Sequence, residues 1–174
     1  PMLDVTLDQW RRTKEVNLTG TFLTCRALGR QMVERRRGKI VNFGSTASLS
    51  AVPGMAHYTA AKHGVLGLTR TLAVEWGKYN IHVNCICPGI TETPLLHYHL
   101  NKTPDPEAAL AARLRRVPMG IALAPEDIAK AAVYFSCEDS AGITGTSLVV
   151  DCGYITAAEW ETEGRTKFMD SQSE

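Results

Sequence analysis

Residues 39–62, KIVNFGSTASLSAVPGMAHYTAAK, contain the pattern that decides the fold. Lys39 to Phe43 is a short apolar run closed by Gly44, which is typical of a buried strand in a parallel sheet. Ser45 follows the carboxyl end of this strand. After a loop of small residues, Tyr58 to Tyr79 has the apolar stripe of a helix. The stretch therefore predicts a strand, a loop and a helix in succession.

The same alternation of helices and strands continues on both sides of this stretch. Thr6 to Gly38 predicts a long helix, interrupted near Gly20, and Thr91 to Met119 is expected to be irregular apart from one helix. Strands that alternate with helices predict an α/β fold, a parallel sheet with helices on both faces. The remaining predicted elements are a strand at Ile81 to Cys87, helices at Glu107 to Arg116 and Pro125 to Ser136, and a strand at Ser147 to Asp151.

The composition favours one globular domain with small-molecule or protein partners. The chain has 174 residues, of which 44% are hydrophobic, so we expect a single domain over 1–156 and a polar tail over 157–174. A net charge of +1 argues against nucleic acid, and no apolar run argues for a membrane. Five cysteines, an odd number without the density of a disulfide framework, favour a reducing, cytoplasmic location.

Tyr58 and Lys62 are the first candidate catalytic residues. They lie four positions apart on the predicted helix, so their side chains share one face. A free tyrosine is a poor base at neutral pH, and a neighbouring ammonium favours the phenolate form. By itself this pair is compatible with an ordinary helix surface. Ser45 at a strand end and Asn17 further upstream add polar groups that such a surface does not require.

Together these residues resemble the motifs of the short-chain dehydrogenase/reductase family, in the same order and at compatible spacing. The resemblance runs from about Thr6 to Tyr154. The motifs are Val16-Asn17-Leu18-Thr19-Gly20, Gly44-Ser45, Tyr58-Thr59-Ala60-Ala61-Lys62, Pro88-Gly89-Ile90-Thr91-Glu92-Thr93 and the closing Val149-Val150-Asp151-Cys152-Gly153-Tyr154.

The resemblance implies a role for each of four catalytic residues. Tyr58 would give or take the hydroxyl proton, and Ser45 would hydrogen-bond the substrate oxygen. Lys62 would favour the tyrosine phenolate and hold the ribose hydroxyls of a nicotinamide cofactor. Asn17 would interrupt its helix and connect Lys62 to solvent through water.

The resemblance also implies a cofactor, NAD or NADP, and a Rossmann-like fold. The residues expected to bind the cofactor are Asn17, Tyr58, Lys62, Pro88, Gly89, Ile90, Thr91 and Thr93. The glycine-rich turn that holds the pyrophosphate in this family does not occur in the sequence, so we expect the N-terminal part of the fold to be absent. The strand at Lys39 to Phe43 would then lose a neighbour.

The expected function is an oxidoreductase that interconverts a secondary alcohol and a ketone, in a homotetramer or homodimer. Two alternatives stay open. One is a non-catalytic, truncated oligomerisation module, and the other is an epimerase or dehydratase of the same family, because Ser45, Tyr58 and Lys62 do not fix the net reaction. The sequence names neither the substrate nor the preferred nicotinamide cofactor.

The remaining cysteines and histidines predict no metal site. Cys85 and Cys87 face one way on a strand and are interpreted as buried core thiols. Cys152 replaces the glycine usual in the family, which is expected to affect a turn or a subunit contact. His97 and His99 lie in the expected substrate loop, where a substrate contact and a plain surface pair are equally compatible with the sequence.

Overall fold

The structure, a computed structural model, describes residues 1–157. All but the first residue of the predicted tail over 157–174 lies outside the described residues. The described residues form two compact units, one made of Pro1–Pro88 with Ala129–Val149 and one made of Gly89–Ile128 with residues 150–157. The single domain expected over 1–156 stays a prediction.

The elements largely follow the predicted order. The helices are α1 (Leu7–Lys14), α2 (Gly20–Arg35), α3 (Ala56–Trp76), α4 (Pro94–Leu100), α5 (Pro106–Leu114), α6 (Pro125–Ser136) and α7 (Tyr154–Ala157). The strands are β1 (Gly38–Phe43), β2 (Ile81–Pro88) and β3 (Ser147–Val150). Single 3-10 turns occur at Met2–Asp4, Thr46–Ser48, Gly77–Tyr79 and Glu138–Ser140.

The predicted interruption of the first helix is confirmed. Thr6 begins α1 with a capping box, in which its hydroxyl accepts the Gln9 N–H at 3.2 Å and the Gln9 side chain accepts the Thr6 N–H at 2.9 Å. Glu15–Thr19 then forms a π-helical turn before α2 begins. Such turns insert one extra residue into a helix and are frequent at functional sites.

The sheet has three strands in the order β1-β2-β3. β1 and β2 are parallel, with a register that runs from Gly38 opposite Ile81 to Phe43 opposite Ile86. β3 continues the parallel arrangement, because the Gly145 N–H donates to the Val83 carbonyl at 2.8 Å and the Cys85 N–H donates to Thr146 at 2.9 Å. The carboxyl ends of β1 and β2 therefore lie at one edge of the sheet.

Two apolar clusters hold α3 against β2. One contains Cys25, Leu72, Ala73, Ile81 and Val83, and the other contains Val65, Leu66, Cys85 and Cys87. The second cluster lies toward the carboxyl end of β2, next to the first half of α3. This packing fixes the helix turn that carries Tyr58 and Lys62 relative to the strand ends.

The second unit contains a helix that the sequence analysis missed. The stretch from Thr91 was expected to be irregular, but Pro94–Leu100 forms α4. Thr93 caps it by accepting the Leu96 N–H at 3.3 Å, and Pro94 occupies the first turn, where its missing N–H costs nothing. Leu96 and Leu100 are buried, so two apolar residues four apart supply the packing.

The α/β fold with a parallel sheet flanked by helices is confirmed. Among residues 1–157, none of the helices has the length and apolar character that crossing a membrane requires.

Candidate active site

The turn after β1 presents the Ser45 hydroxyl. Ser45 precedes the 3-10 turn Thr46–Ser48 and its Oγ accepts the Ala47 N–H at 3.1 Å. The Ser45 N–H in turn donates to Ser48 Oγ at 3.1 Å. Because the Ser45 oxygen accepts a backbone bond, its hydroxyl hydrogen remains available to donate to a bound oxygen atom.

Lys62 makes two hydrogen bonds near this turn, one through its backbone carbonyl and one through its side-chain ammonium. Its carbonyl accepts a hydrogen bond from Ser48 Oγ at 2.8 Å. Its ammonium Nζ donates to the carbonyl of Phe43, the last residue of β1, at 2.9 Å. These bonds link α3 to the carboxyl end of β1, so Lys62 and Ser45 are held in one small network.

Tyr58 and Lys62 share a face of α3, as their spacing predicts. Lys62 Nζ lies 5.7 Å from the centroid of the Tyr58 ring. Burial lowers the pKa of Lys62, and the nearby thiols Cys85 and Cys87 act in the opposite direction. The ammonium is thus partly desolvated, a condition under which its field acts more strongly on neighbouring groups.

Asn17 lies in the π-helical turn. Its Nδ2 donates to the Thr13 carbonyl at 3.1 Å, and its own carbonyl accepts the Thr21 hydroxyl at 3.0 Å. Asn17, Phe43 and Lys62 line one cleft of about 520 Å³. The structure therefore brings Asn17 and Lys62 to the same cavity.

The other residues expected to bind the cofactor follow β2. Pro88 ends that strand in the first unit, and Gly89, Ile90, Thr91 and Thr93 belong to the second unit. Within the second unit, a Cβ on Gly89 would lie 2.8 Å from the Asp151 Cα, so only glycine fits there. The Thr91 hydroxyl donates to the Gly89 carbonyl at 3.1 Å.

The sequence analysis missed two members of the network, Ser48 and the Phe43 carbonyl. Ser48 could have been found from its position three residues after Ser45, the spacing at which a side chain reaches back to the first residue of a helical turn. The Phe43 carbonyl leaves no signal in the sequence, because every residue carries a carbonyl group.

The structure shows where the cysteines and histidines singled out from the sequence lie. Cys85 and Cys87 are free thiols with no exposed surface, which confirms that they are buried. Cys152 lies in a turn with φ of 55°, a left-handed conformation that explains why a glycine suits the position. His97 Nε2 lies 2.9 Å from Glu92 Oε2, and both side chains are partly exposed.

A parallel sheet flanked by helices, with polar side chains gathered after β1, defines an α/β protein of the Rossmann type. Residues 1–155 match the family model described as enoyl-(acyl carrier protein) reductase. The chain belongs to the short-chain dehydrogenase/reductase family, and the expected resemblance is confirmed.

Two relatives come from Xanthobacter autotrophicus. The chain is 45% identical to "inactive 2-(S)-hydroxypropyl-CoM dehydrogenase 2", over 84% of this chain and 64% of that protein. It is 41% identical to 2-(S)-hydroxypropyl-CoM dehydrogenase 3, over 83% of this chain and 56% of that protein. The chain thus spans between 56% and 64% of the length of these two relatives.

A solved structure gives the same result for the fold. Gluconate 5-dehydrogenase from Burkholderia cenocepacia, in complex with NADP and tartrate, superposes with a TM-score of 0.84. It is 31% identical in sequence, and the match covers 90% of this chain and 60% of that one.

Proposed function

We propose that this chain carries the proton-transfer residues of a nicotinamide-dependent oxidoreductase that interconverts a secondary alcohol and a ketone. The observation that carries the proposal is the network that holds Lys62 beside Tyr58 and ties it through Ser48 to Ser45. The family and its named dehydrogenases support the general class of reaction.

Each side chain has a separate task in this proposal. The Tyr58 hydroxyl donates a proton to the carbonyl oxygen during reduction and accepts it back during oxidation. The Ser45 hydroxyl hydrogen-bonds the same oxygen while negative charge develops on it. Lys62, held by the Phe43 carbonyl, stabilises the tyrosine phenolate that remains after proton transfer. Asn17, in the same cleft, completes a water path from Lys62 to solvent.

The donor set fits a nicotinamide cofactor, NAD or NADP. Only one of the three Lys62 ammonium hydrogens is needed for the bond to Phe43, which leaves donors for the two hydroxyls of a ribose. The proposed partners of the nicotinamide itself are Pro88, Gly89, Ile90, Thr91 and Thr93. The cofactor, when bound, supplies or accepts the hydride.

The proposed substrate is a small alcohol or ketone, and its identity depends on residues outside this network. A homotetrameric or homodimeric assembly and a cytoplasmic location stay predictions.

The first test is an assay of the natural full-length chain against a broad panel of secondary alcohols and ketones with both nicotinamide cofactors. We expect a change in nicotinamide absorbance with at least one pair, and a loss of kcat of at least about a hundredfold in Tyr58→Phe, because general acid–base catalysis contributes that much. Tyr79→Phe is the matched control, since Tyr79 packs against the other apolar cluster.

The alternatives give different results in the same assay. Turnover without net oxidation or reduction of the cofactor would identify an epimerase or dehydratase. An absence of any turnover, or a Tyr58→Phe variant that retains the wild-type kcat, would contradict the proposed function.

A further inference from the structure

Two buried thiols lie directly against the strand end that leads to Ser45. Cys85 and Cys87 lie two apart on β2, so both point to one face, and neither has exposed surface. A Cβ built on Gly44 would lie 2.9 Å from Cys85 Sγ and 3.0 Å from Cys87 Sγ. Gly44 immediately precedes Ser45, so the backbone at the Ser45 turn rests on two sulfur atoms.

Ser48 connects the packing around Gly44 to Lys62. The Gly44 Cβ position lies 2.7 Å from Ser48 Oγ. Ser48 accepts the Ser45 N–H and donates to the Lys62 carbonyl, as described above. The thiols, the serine turn and the lysine backbone therefore form one packed group, in which a displacement of Gly44 moves both Ser45 and Lys62.

We propose that Cys87, together with Cys85, is a positioning residue that holds Ser45 and Lys62 in their reactive arrangement. The inference rests on the proposed function above. Neither sulfur is required to touch the substrate. The two sulfur atoms occupy the space that a Cβ on Gly44 would need, and a branched side chain at Cys87 would add a further heavy atom beside this crowded backbone.

Charged and polar groups around Cys85 and Cys87 also shift the pKa values of the two thiols. The mutual influence of the two adjacent thiols lowers the pKa of Cys87 and raises the pKa of Cys85. Burial opposes this lowering of the Cys87 pKa, and the nearby polar groups of Ser45 and Ser48 and the Lys62 ammonium support it. Lys62 and Cys85 are the titratable groups that face Cys87. Besides the two thiols, the cluster contains Val65 and Leu66 from α3, and Leu18 and Val149 pack against it.

The direction of the pH effect follows from these neighbours. When Cys87 is deprotonated, its negative charge stabilises the Lys62 ammonium, whose pKa burial lowers. Replacing Cys87 by serine removes that negative charge, so Lys62 should lose its proton at a lower pH. We therefore expect the alkaline loss of activity to begin at a lower pH in Cys87→Ser than in the wild type.

The test uses two variants and one control in the natural full-length chain. Cys87→Val should reduce kcat and kcat/KM alike by about tenfold or more, with KM little changed, because Ser45 acts in the transition state. Cys87→Ser should retain more activity and show the shifted alkaline limb. Val83→Ala is the control, since Val83 is equally buried on β2 but lies in the other cluster, and it should lower thermal stability without changing kcat.

The outcomes separate this proposal from the proposed function. Wild-type kcat and an unchanged pH profile in both Cys87 variants would overturn the positioning role, even if the variants unfold more easily. If the wild type shows no turnover at all, the proposed function fails and the nitrogen chemical shifts of the Ser45 amide and the Lys62 ammonium decide. Shifts that move in Cys87→Ser but not in Val83→Ala support positioning, and unmoved shifts overturn it.

Discussion

At the scale of single residues, the chemistry of the site depends on which atoms are already engaged. The Ser45 oxygen accepts the Ala47 N–H, which leaves the hydroxyl hydrogen free to donate to a ligand. The Lys62 ammonium is anchored on the Phe43 carbonyl and still faces the Tyr58 ring. Local backbone bonds thereby orient both groups before any substrate binds, which is the condition for strong transition-state stabilisation.

Sequence alone predicted the side chains of this site but not their anchors. Ser45, Tyr58 and Lys62 are singled out by their resemblance to the family's motifs, and a strand end and one helix face restrict where those side chains can lie. The Phe43 carbonyl and the contact of Gly44 with Cys87 depend on how α3 and β2 pack, and the sequence contains no local signal for that packing. The roles of the individual side chains stay predictions.

Cys152 gives a prediction about stability. Its φ of 55° is left-handed, which costs a non-glycine residue roughly 1–2 kcal/mol. Glycine removes this strain, but it loses more conformational entropy on folding than other residues, which offsets about 0.5–1 kcal/mol of the gain in stability. Cys152→Gly should therefore raise the free energy of unfolding by up to about 1.5 kcal/mol, measured by urea denaturation. Cys152→Ala keeps the strained φ, and an equal gain in that variant would contradict the explanation.

At the scale of elements, the regular segments were predicted better than the irregular ones. The β1 strand, the π interruption and α3 all follow from apolar period and glycine positions. α4 was missed because only Leu96 and Leu100 of its seven residues are buried, so the apolar stripe is too short to stand out. Its Thr93-Pro94 start is a recognisable helix signal, with a capping threonine followed by proline in the first turn.

The contact between α2 and α3 gives a prediction about two glycines. A Cβ on Gly29 of α2 would lie within 2.4–2.9 Å of three ring atoms of Trp76, whereas a Cβ on Gly67 of α3 meets nothing within 4 Å. Overpacking costs about 1–3 kcal/mol, more than the gain of about 1 kcal/mol for alanine in a helix. Thermal unfolding should therefore show Gly29→Ala destabilised and Gly67→Ala stabilised. A stabilised Gly29→Ala would show that Trp76 moves without cost.

At the scale of the whole molecule, the sheet has an open side. β1 pairs with β2 and is an edge strand of the sheet formed by the described residues, and the Phe43 side chain is 48% exposed. The sequence analysis expected such an edge because the chain resembles only the later part of the family's fold. An apolar edge strand is a ready template for pairing with another strand.

The family, the fold class and the arrangement of Ser45, Tyr58 and Lys62 support the central proposal that the full-length protein transfers a hydride between an alcohol carbon and a nicotinamide cofactor. The most direct measurement uses a secondary alcohol that the assay identifies, deuterated at the carbon bearing the hydroxyl group. Mass spectrometry of the reduced cofactor made by the wild type should then show one deuterium on the nicotinamide ring. The Tyr58→Phe variant should form much less of this deuterated cofactor in the same time. A cofactor that carries no deuterium after complete conversion of the alcohol would contradict the claim.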